Sequence, residues 1–257
     1  MLEPATTDRA TLLAACNAEL QPERFKDYGP NGLQVEGKPA IRKLVSGVTA
    51  SRALIDAAIA ARADAIFVHH GLFWRGQDGT VTGWMKERLK RLLAHDVNLL
   101  AYHLPLDAHP TLGNNAQLGQ RLGLQATGRF GEQDLGFIGQ PADGEAFADA
   151  DVLAWQLEHT LNRPVTQVGQ AQGAIEKIAW CSGGAQGYFE SAIAAGAQAF
   201  ITGEISEPQA HLARECGVVF YACGHHATER YGAPALAAHV AAQLGIAHEF
   251  IEIDNPA

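Results

Sequence analysis

The hydrophobic pattern of the chain alternates between short apolar runs and longer segments with apolar residues on one face. In the first half, the apolar runs predict buried strands at 43–50, 64–70 and 97–103, and the longer segments predict helices at 51–63, 82–95 and 114–124. The second half repeats this order, with strands predicted at 177–184, 198–204 and 217–226 and helices at 188–197, 207–215 and 228–244. Strands that alternate with helices indicate an α/β fold with mostly parallel or mixed sheets.

An internal duplication relates the two halves. The shift that places Lys43 on Lys177 also aligns residues 54–68 with 188–202 without a gap. The identities between these segments are at Ala58, Ile59, Ala60, Ala61, Ala63 and Ala65. We therefore predict two pseudo-repeated βα lobes, residues 1–125 and 126–257, with an added strand and helix region at about 125–170 that connects them.

Polar residues occupy matching positions where apolar strands end in the two halves. The same shift places His69 and His70 on Gly203 and Glu204. In parallel α/β sheets, ligands bind beyond the carboxyl ends of the strands. The duplication therefore predicts a ligand site formed by pseudo-equivalent parts of the two halves.

Imidazole and carboxylate groups follow three predicted strands and form a candidate ligand set: His69, His70, Asp107, His225 and Glu229. His225 and Glu229 are four residues apart, so a helix beginning there would place them on one face. These donors, without thiolate, suit zinc, iron, manganese, cobalt or nickel. One catalytic ion usually takes about three protein ligands, so five candidates predict two divalent ions per subunit, and the two oxygens of Glu229 suit a bridge.

Other candidate residues have more than one interpretation. A single histidine at a strand end is more often structural than a ligand, and we interpret His103 and His226 as supporting or structural residues. Glu204 is a candidate general base or a group that supports a ligand. CSGGAQGYF (181–189) could bind an anion through its N–H groups, but an ordinary βα turn is favoured. The pairs GP and NG in DYGPNGLQVEG (27–37) predict only a loop.

Composition and charge limit the classes of function. The formal charge of −9 disfavours a general nucleic-acid-binding surface or an anionic membrane surface. No apolar run approaches the roughly 18 residues of a membrane span, and the first ten residues lack the pattern of a signal peptide. We therefore expect a cytoplasmic protein that does not associate with membranes.

Five motifs closely resemble the GTP cyclohydrolase I type 2 homologues, also called the Nif-three-like dinuclear metal-centre proteins. The motifs are DYGPNGLQVEG, VHHGLFW, YHLPLDAHPTLGNNAQLG, TGEISEPQAHLARE and GHHATERYGAPAL. The resemblance implies a two-lobed Nif-three-like fold, a ring-shaped homohexamer and a dinuclear metal site that faces the interior. It further implies that His69 and His70 bind one ion each, that Asp107 binds the first ion and His225 the second, and that Glu229 bridges both.

The resemblance also implies a metal-dependent hydrolase that acts on a small molecule, with a nucleotide as the candidate substrate. Some relatives are reported to open the imidazole ring of GTP, which requires hydrolysis at C8 by a metal-activated hydroxide. The alternative is a non-catalytic hexameric scaffold, a regulator, or a metal storage or delivery protein. A third interpretation is a hexamer that acts through protein partners and contains structural metals.

Overall fold

The computed structural model describes residues 5–257, which form two compact units. Unit 1 contains the chain up to Gly113 together with Gly232–Asp254. Unit 2 contains Asn114–Tyr231 together with Asn255–Ala257. Each unit is therefore built from two separate stretches of the chain.

Helices and strands alternate along the described residues. The strands are β1 (Thr7–Asp8), β2 (Gly32–Val35), β3 (Ala40–Ile41), β4 (Lys43–Thr49), β5 (Ala65–His70), β6 (Asn98–Ala101), β7 (Leu124–Phe130), β8 (Gly136–Pro141), β9 (Thr166–Val168), β10 (Ile178–Trp180), β11 (Ala199–Thr202), β12 (Val219–Ala222) and β13 (Ala247–Phe250). The helices are α1 (Arg9–Leu20), α2 (Arg52–Ala60), α3 (Gly83–Ala94), α4 (Leu104–Ala108), α5 (Asn114–Arg121), α6 (Ala150–Leu161), α7 (Phe189–Ala194), α8 (Glu207–Cys216), α9 (His225–Glu229) and α10 (Gly232–Leu244). Within residues 5–257, none of these helices has the length and apolarity needed to cross a bilayer.

Unit 1 contains a five-stranded sheet in the order β13-β4-β5-β6-β2. Its first four strands are parallel, and β2 runs antiparallel to β6. Side chains alternate between the faces of the sheet, so Phe67 packs in one core with residues of α1 and α10. Its neighbour Ile66 packs on the other face with residues of α2 and α3. The carboxyl ends of β4, β5 and β6 consequently meet at one edge of the sheet.

Unit 2 contains a six-stranded mixed sheet in the order β7-β8-β10-β11-β12-β9. Strands β10, β11 and β12 are parallel, and the other three pair antiparallel to their neighbours. Trp180 and Ile201 pack on one face with Leu157 of α6. Phe189 of α7 packs on the other face against Phe200. The predicted α/β class with mostly parallel or mixed sheets is confirmed.

The duplication is visible in hydrogen bonds that recur at matching positions of the two halves. The Asp64 side chain accepts from the backbone N–H groups of Arg42 and Lys43, and the Gln198 side chain accepts from those of Glu176 and Lys177. The Lys43 ammonium donates to the Ala61 carbonyl, as the Lys177 ammonium does to the Ala195 carbonyl. Arg62 and Gly196 both adopt positive φ, at 58° and 82°. The two halves therefore share backbone geometry as well as element order.

The structure divides the chain differently from the predicted lobes, 1–125 and 126–257. Residues 114–125 belong to unit 2, and Gly232–Asp254 returns to unit 1. Residues 232–254 belong to unit 1 because Leu236 and Val240 of α10 are fully buried in its core and β13 pairs with β4. The predicted helix 228–244 is accordingly two helices, α9 and α10, which lie in different units.

Candidate metal centre

His69 and His70 are the last two residues of β5, at the carboxyl edge of the unit 1 sheet. Consecutive side chains of a strand point to opposite faces, yet the two imidazole centroids are only 4.5 Å apart. The strand ends at His70, and Gly71 leads the chain away with no room for a side chain against Gln34. The end of the strand therefore brings both rings to the same region.

Hydrogen bonds orient both rings through Nδ1. His69 is fully buried, and its Nδ1 donates to the Tyr102 carbonyl at 3.1 Å. His70 Nδ1 lies 3.1 Å from the Thr49 hydroxyl oxygen. The Nδ1–H of His69 implies that its Nε2 carries a lone pair, which is the form of imidazole that ligates metals.

Asp107 and His103 complete a cluster with these two rings, and we call these four residues the histidine cluster. Asp107 lies in α4, directly after β6, and its Oδ1 is 3.5 Å from His69 Nε2. One ring nitrogen from each of His69, His70 and His103 lies within 4.8 Å of the other two. Unit 1 therefore brings the predicted ligands His69, His70 and Asp107 together, and adds His103 to them.

Asp27 positions His103 and was not identified as a site residue from the sequence. Its side chain is 3% exposed and accepts from His103 Nδ1 at 2.7 Å, from the Leu104 N–H at 2.9 Å and from the Asn31 amide at 2.9 Å. Burial raises the pKa of Asp27, but these hydrogen bonds and the charge of His103 outweigh it, so the pKa is lowered. The prediction that residues 27–37 form only a loop is therefore wrong, because they contain strand β2 (Gly32–Val35) and the Asp27 side chain holds His103.

Unit 2 contains a second group of donors, the glutamate cluster of Glu204, His225 and Glu229. His225 and Glu229 are the first and last residues of α9, so they share one face as predicted, with His225 Nε2 3.2 Å from Glu229 Oε2. Glu204 follows β11, and its Oε1 accepts from His225 Nδ1 at 2.6 Å. The contact favours the supporting role for Glu204 over the role of general base.

The carboxylates of this cluster favour a cation. The hydrogen bond to Glu229 raises the pKa of His225 to about 9. Burial opposes this increase, while the negative charge of Glu229 and the contact with Glu204 add to it. Glu229 is itself buried, with 3% of its side chain exposed. A buried carboxylate is stable when a positive charge is beside it, whether a proton on His225 or a metal ion.

Gly183 makes room for the Glu229 carboxylate. A methyl group at Gly183 would overlap Glu229 Oε1 and come within 3.2 Å of His225 Nε2, and the residue has a φ of 69°. The Gly183 N–H donates to the Thr228 hydroxyl at 2.9 Å, which fixes this turn against α9. The turn at 181–189 thus shapes the donor cluster, a role that the sequence did not reveal.

The donors in both clusters fit divalent metal ions. Each cluster combines imidazole nitrogen with carboxylate oxygen, and the described residues place no thiolate among these donors. His69 and His225 each use Nδ1 for a protein hydrogen bond and direct Nε2 towards a carboxylate. This arrangement is typical of ligands held in one tautomer by an outer partner. The His226 backbone N–H donates to the Ala257 carbonyl, in keeping with the structural interpretation of that residue.

Comparison with known proteins gives a consistent picture over almost the whole chain. The profile of the family described as Duf34/NIF3 (NGG1p interacting factor 3) matches residues 7–256. A Neisseria meningitidis protein named GTP cyclohydrolase 1 type 2 homolog is 51% identical, over 97% of this chain and 99% of its own. Its Pseudomonas aeruginosa namesake is 48% identical, over 96% and 98%.

Solved structures show the same fold. A protein called ybgI, described as of unknown function, is 44% identical and superposes with a TM-score of 0.93 over 98% of this chain and 100% of its own. A Thermus thermophilus protein is 32% identical and superposes with a TM-score of 0.83 over 98% of this chain and 100% of its own.

Proposed function

Because the chain belongs to the DUF34/NIF3 family, we propose that it is a hydrolase that depends on two divalent metal ions per subunit. The observation that carries the proposal is the common orientation of three imidazoles. His69, His70 and His225 each have Nδ1 at a protein oxygen, namely the Tyr102 carbonyl, the Thr49 hydroxyl and the Glu204 carboxylate. A set of rings held in this way can present Nε2 to a metal ion without rotation of the rings, and His225 would lose its Nε2 proton when the ion binds.

Each residue has a defined part in this proposal. His69 and Asp107 would hold one ion, His70 and His225 would help to hold the other, and the Glu229 carboxylate would bridge the two. Bound together, the ions would lower the pKa of a water molecule to near neutrality and polarise the electrophile of the substrate. Glu204 holds the His225 ring, and Asp27 holds the His103 ring, so that both imidazoles keep one orientation when substrate enters.

The proposed substrate is a nucleotide, and GTP cyclohydrolase chemistry is the most specific form of the proposal. The name of the Neisseria and Pseudomonas relatives supports this choice. The reaction would add water at C8 of the purine, break the C8–N9 bond and leave a formamide on the ring-opened product. We further propose a homohexamer, on the family resemblance, as the assembly that carries the site.

The test is turnover by protein loaded in turn with zinc, iron, manganese, cobalt or nickel. We expect GTP to lose its purine absorbance and to gain the mass of one water molecule, and the Glu229→Ala variant to lose both metal and activity. A metal-loaded protein that leaves a panel of nucleotides and cyclic amides unchanged would contradict a hydrolase and favour a metal scaffold or storage protein. A Glu229→Ala protein with both ions and full activity would exclude the bridge.

A further inference from the structure

The amino ends of the parallel strands in unit 1 line a cavity that the proposed metal chemistry does not use. Its volume is about 630 Å³, and its basic residues are Lys38, Arg42, Lys43, Arg62 and His95. We call it the basic cavity. Lys43 begins β4 and Asp64 precedes β5, whereas His70 ends β5. Six residues of strand, roughly 20 Å at about 3.3 Å per residue, therefore separate this edge from the histidine cluster.

Positive charge exceeds negative charge in this cavity. The Asp64 carboxylate forms an ion pair with the Lys38 ammonium at 2.6 Å and accepts hydrogen bonds from two backbone N–H groups. Burial raises the pKa of Asp64, but these bonds outweigh it and lower the pKa. Lys43 pairs with Glu249 at 2.6 Å. The Arg42 Nε donates a hydrogen bond to the Thr6 hydroxyl at 3.2 Å, and the side chains of Arg42 and Arg62 are both exposed. Two guanidinium groups are therefore available to an incoming anion, on a chain whose formal charge is −9.

The duplication shows that the fold does not require the charges of Arg42 and Arg62. At the matching positions of the second repeat, Arg42 corresponds to Glu176, Arg62 to Gly196 and Asp64 to Gln198. Gln198 accepts the same two backbone N–H bonds as Asp64, so the turn also forms without an arginine at the positions of Arg42 and Arg62.

The backbone conformation at Arg62 is unfavourable for a residue with a side chain. It adopts a φ of 58°, and its counterpart at a φ of 82° is Gly196. A residue with a Cβ in the left-handed region is strained by roughly 1 kcal/mol relative to glycine. An arginine at this position therefore has a cost to folding that glycine, as used in unit 2, would remove.

We propose that the basic cavity binds a phosphorylated small molecule. The planar guanidinium fork matches phosphate oxygens in pairs, which suits Arg42 and Arg62. The lining also includes the apolar residues Ile59 and Val97, and the volume is that of a site for a nucleotide-sized ligand. The net negative charge of the whole chain disfavours a long polyanion such as RNA, so the occupant is a small one.

The test measures binding of inorganic phosphate, of a nucleoside monophosphate and of a short oligonucleotide by calorimetry, at low ionic strength, to the full-length metal-loaded protein. The test variants are Arg42→Glu and Arg62→Gly, which install the residues of the second repeat and so preserve a backbone known to accept them. Arg52→Glu, at the exposed start of α2, is the matched control. We expect saturable binding that is at least about tenfold weaker in the double variant Arg42→Glu/Arg62→Gly and unchanged within about twofold in the control.

Each other outcome has a defined meaning. Tighter binding of the nucleoside monophosphate supports contact of its organic part with Ile59 and Val97, and equal binding supports a site for the phosphate group. The proposal is overturned if phosphate does not bind, if Arg52→Glu weakens binding as much as the double variant, or if only an oligonucleotide binds. It is also overturned if binding is lost on chelation and is indifferent to both substitutions, because the ligand then occupies the metal centre.

Discussion

The Nδ1 atoms of three histidines determine, at the scale of single residues, what the donor clusters can do. A neutral imidazole has one N–H and one lone pair, so a hydrogen bond at Nδ1 decides which atom remains for a ligand. The Tyr102 carbonyl and the Glu204 carboxylate make this choice for His69 and His225. Neither acceptor is itself a predicted ligand, and each is more than 20 positions away in the chain.

Glycine at position 183 should be necessary for the glutamate cluster. We expect Gly183→Ala to lower the free energy of unfolding by about 1–3 kcal/mol and to weaken metal binding, because the methyl group overlaps the Glu229 carboxylate at a positive φ. Chemical denaturation and metal titration measure the two effects. Gly187→Ala is the control, since no atom lies within 4 Å of the added methyl group. Equal behaviour of the two variants would disprove the steric role.

Substitution of Glu204 separates its two predicted roles. If Glu204 orients His225, Glu204→Ala should weaken metal binding by roughly 10–100-fold, and Glu204→Gln, which keeps an acceptor oxygen, should weaken it less. Metal content after dialysis and turnover of the loaded protein are the measurements. Loss of turnover in Glu204→Gln at full metal content would instead assign it as the general base. Glu207→Gln is a control, because Glu207 is exposed and pairs with His211 on α8.

At the scale of elements, the strand, turn and helix of each repeat form one local unit. In unit 1, one oxygen of Asp64, just before β5, accepts hydrogen bonds from the two N–H groups at the start of β4. In unit 2, the side-chain oxygen of Gln198, just before β11, accepts the two N–H groups that precede β10. A buried N–H without an acceptor is costly, so this position needs an acceptor but not a charge. The identity of the acceptor could differ after duplication for that reason.

Asp64 substitutions should follow this distinction. We expect Asp64→Ala to lower the free energy of unfolding by about 2 kcal/mol, since two N–H groups lose their acceptor, and Asp64→Asn to lower it by less than about 1 kcal/mol. Chemical denaturation at neutral pH gives both values. A larger loss in Asp64→Asn than in Asp64→Ala would show that charge, and not the acceptor, is what matters.

The same residue links stability to pH. The pKa of Asp64 is lowered on folding, so its contribution to stability is present above the unfolded pKa of about 3.9 and is lost as pH falls through the folded pKa. We therefore expect the wild-type protein to lose more stability than Asp64→Asn between pH 5 and pH 3, a range that spans about one unit either side of that value. Parallel slopes of unfolding free energy against pH for the two proteins would contradict this.

At the scale of the whole molecule, the chain completes unit 1 only after it has built most of unit 2. Helix α10 and strand β13 return to the unit 1 core, where Leu236 and Val240 are fully buried and β13 pairs with β4. The predicted ligands also come from both parts of the chain, with His69, His70 and Asp107 in unit 1 and His225 and Glu229 in unit 2.

Removal of metal should test whether the ions are catalytic or structural. We expect a chelator to abolish turnover and to leave the assembly intact, because each unit has its own hydrophobic core. Light scattering should give a mass six times 27.4 kDa before and after chelation. Dissociation on chelation would indicate structural metals, and any other mass before chelation would refute the proposed hexamer.

Much of the architecture follows from local sequence. Strands such as β4 and β5, the helix α2, and the shared face of His225 and Glu229 lie where residue periodicity and spacing predicted them. These features depend on residues a few positions apart, which is why a pattern reveals them. The break between α9 and α10 was missed even though Gly232 and Pro234 lie beside it, because both residues are also compatible with the start of a helix. Only packing assigns the two helices to different units.

The amino-acid sequence by itself determined the element order, the duplication and the types of donor atom, since each is a property of neighbouring residues or of a fixed repeat distance. Tertiary structure alone decided that Asp27 meets His103, that Gly183 admits the Glu229 carboxylate, and that β13 pairs with β4. Those partners are 76, 46 and about 200 positions apart. No local preference specifies such a pair, because it depends on the complete path of the chain between its members.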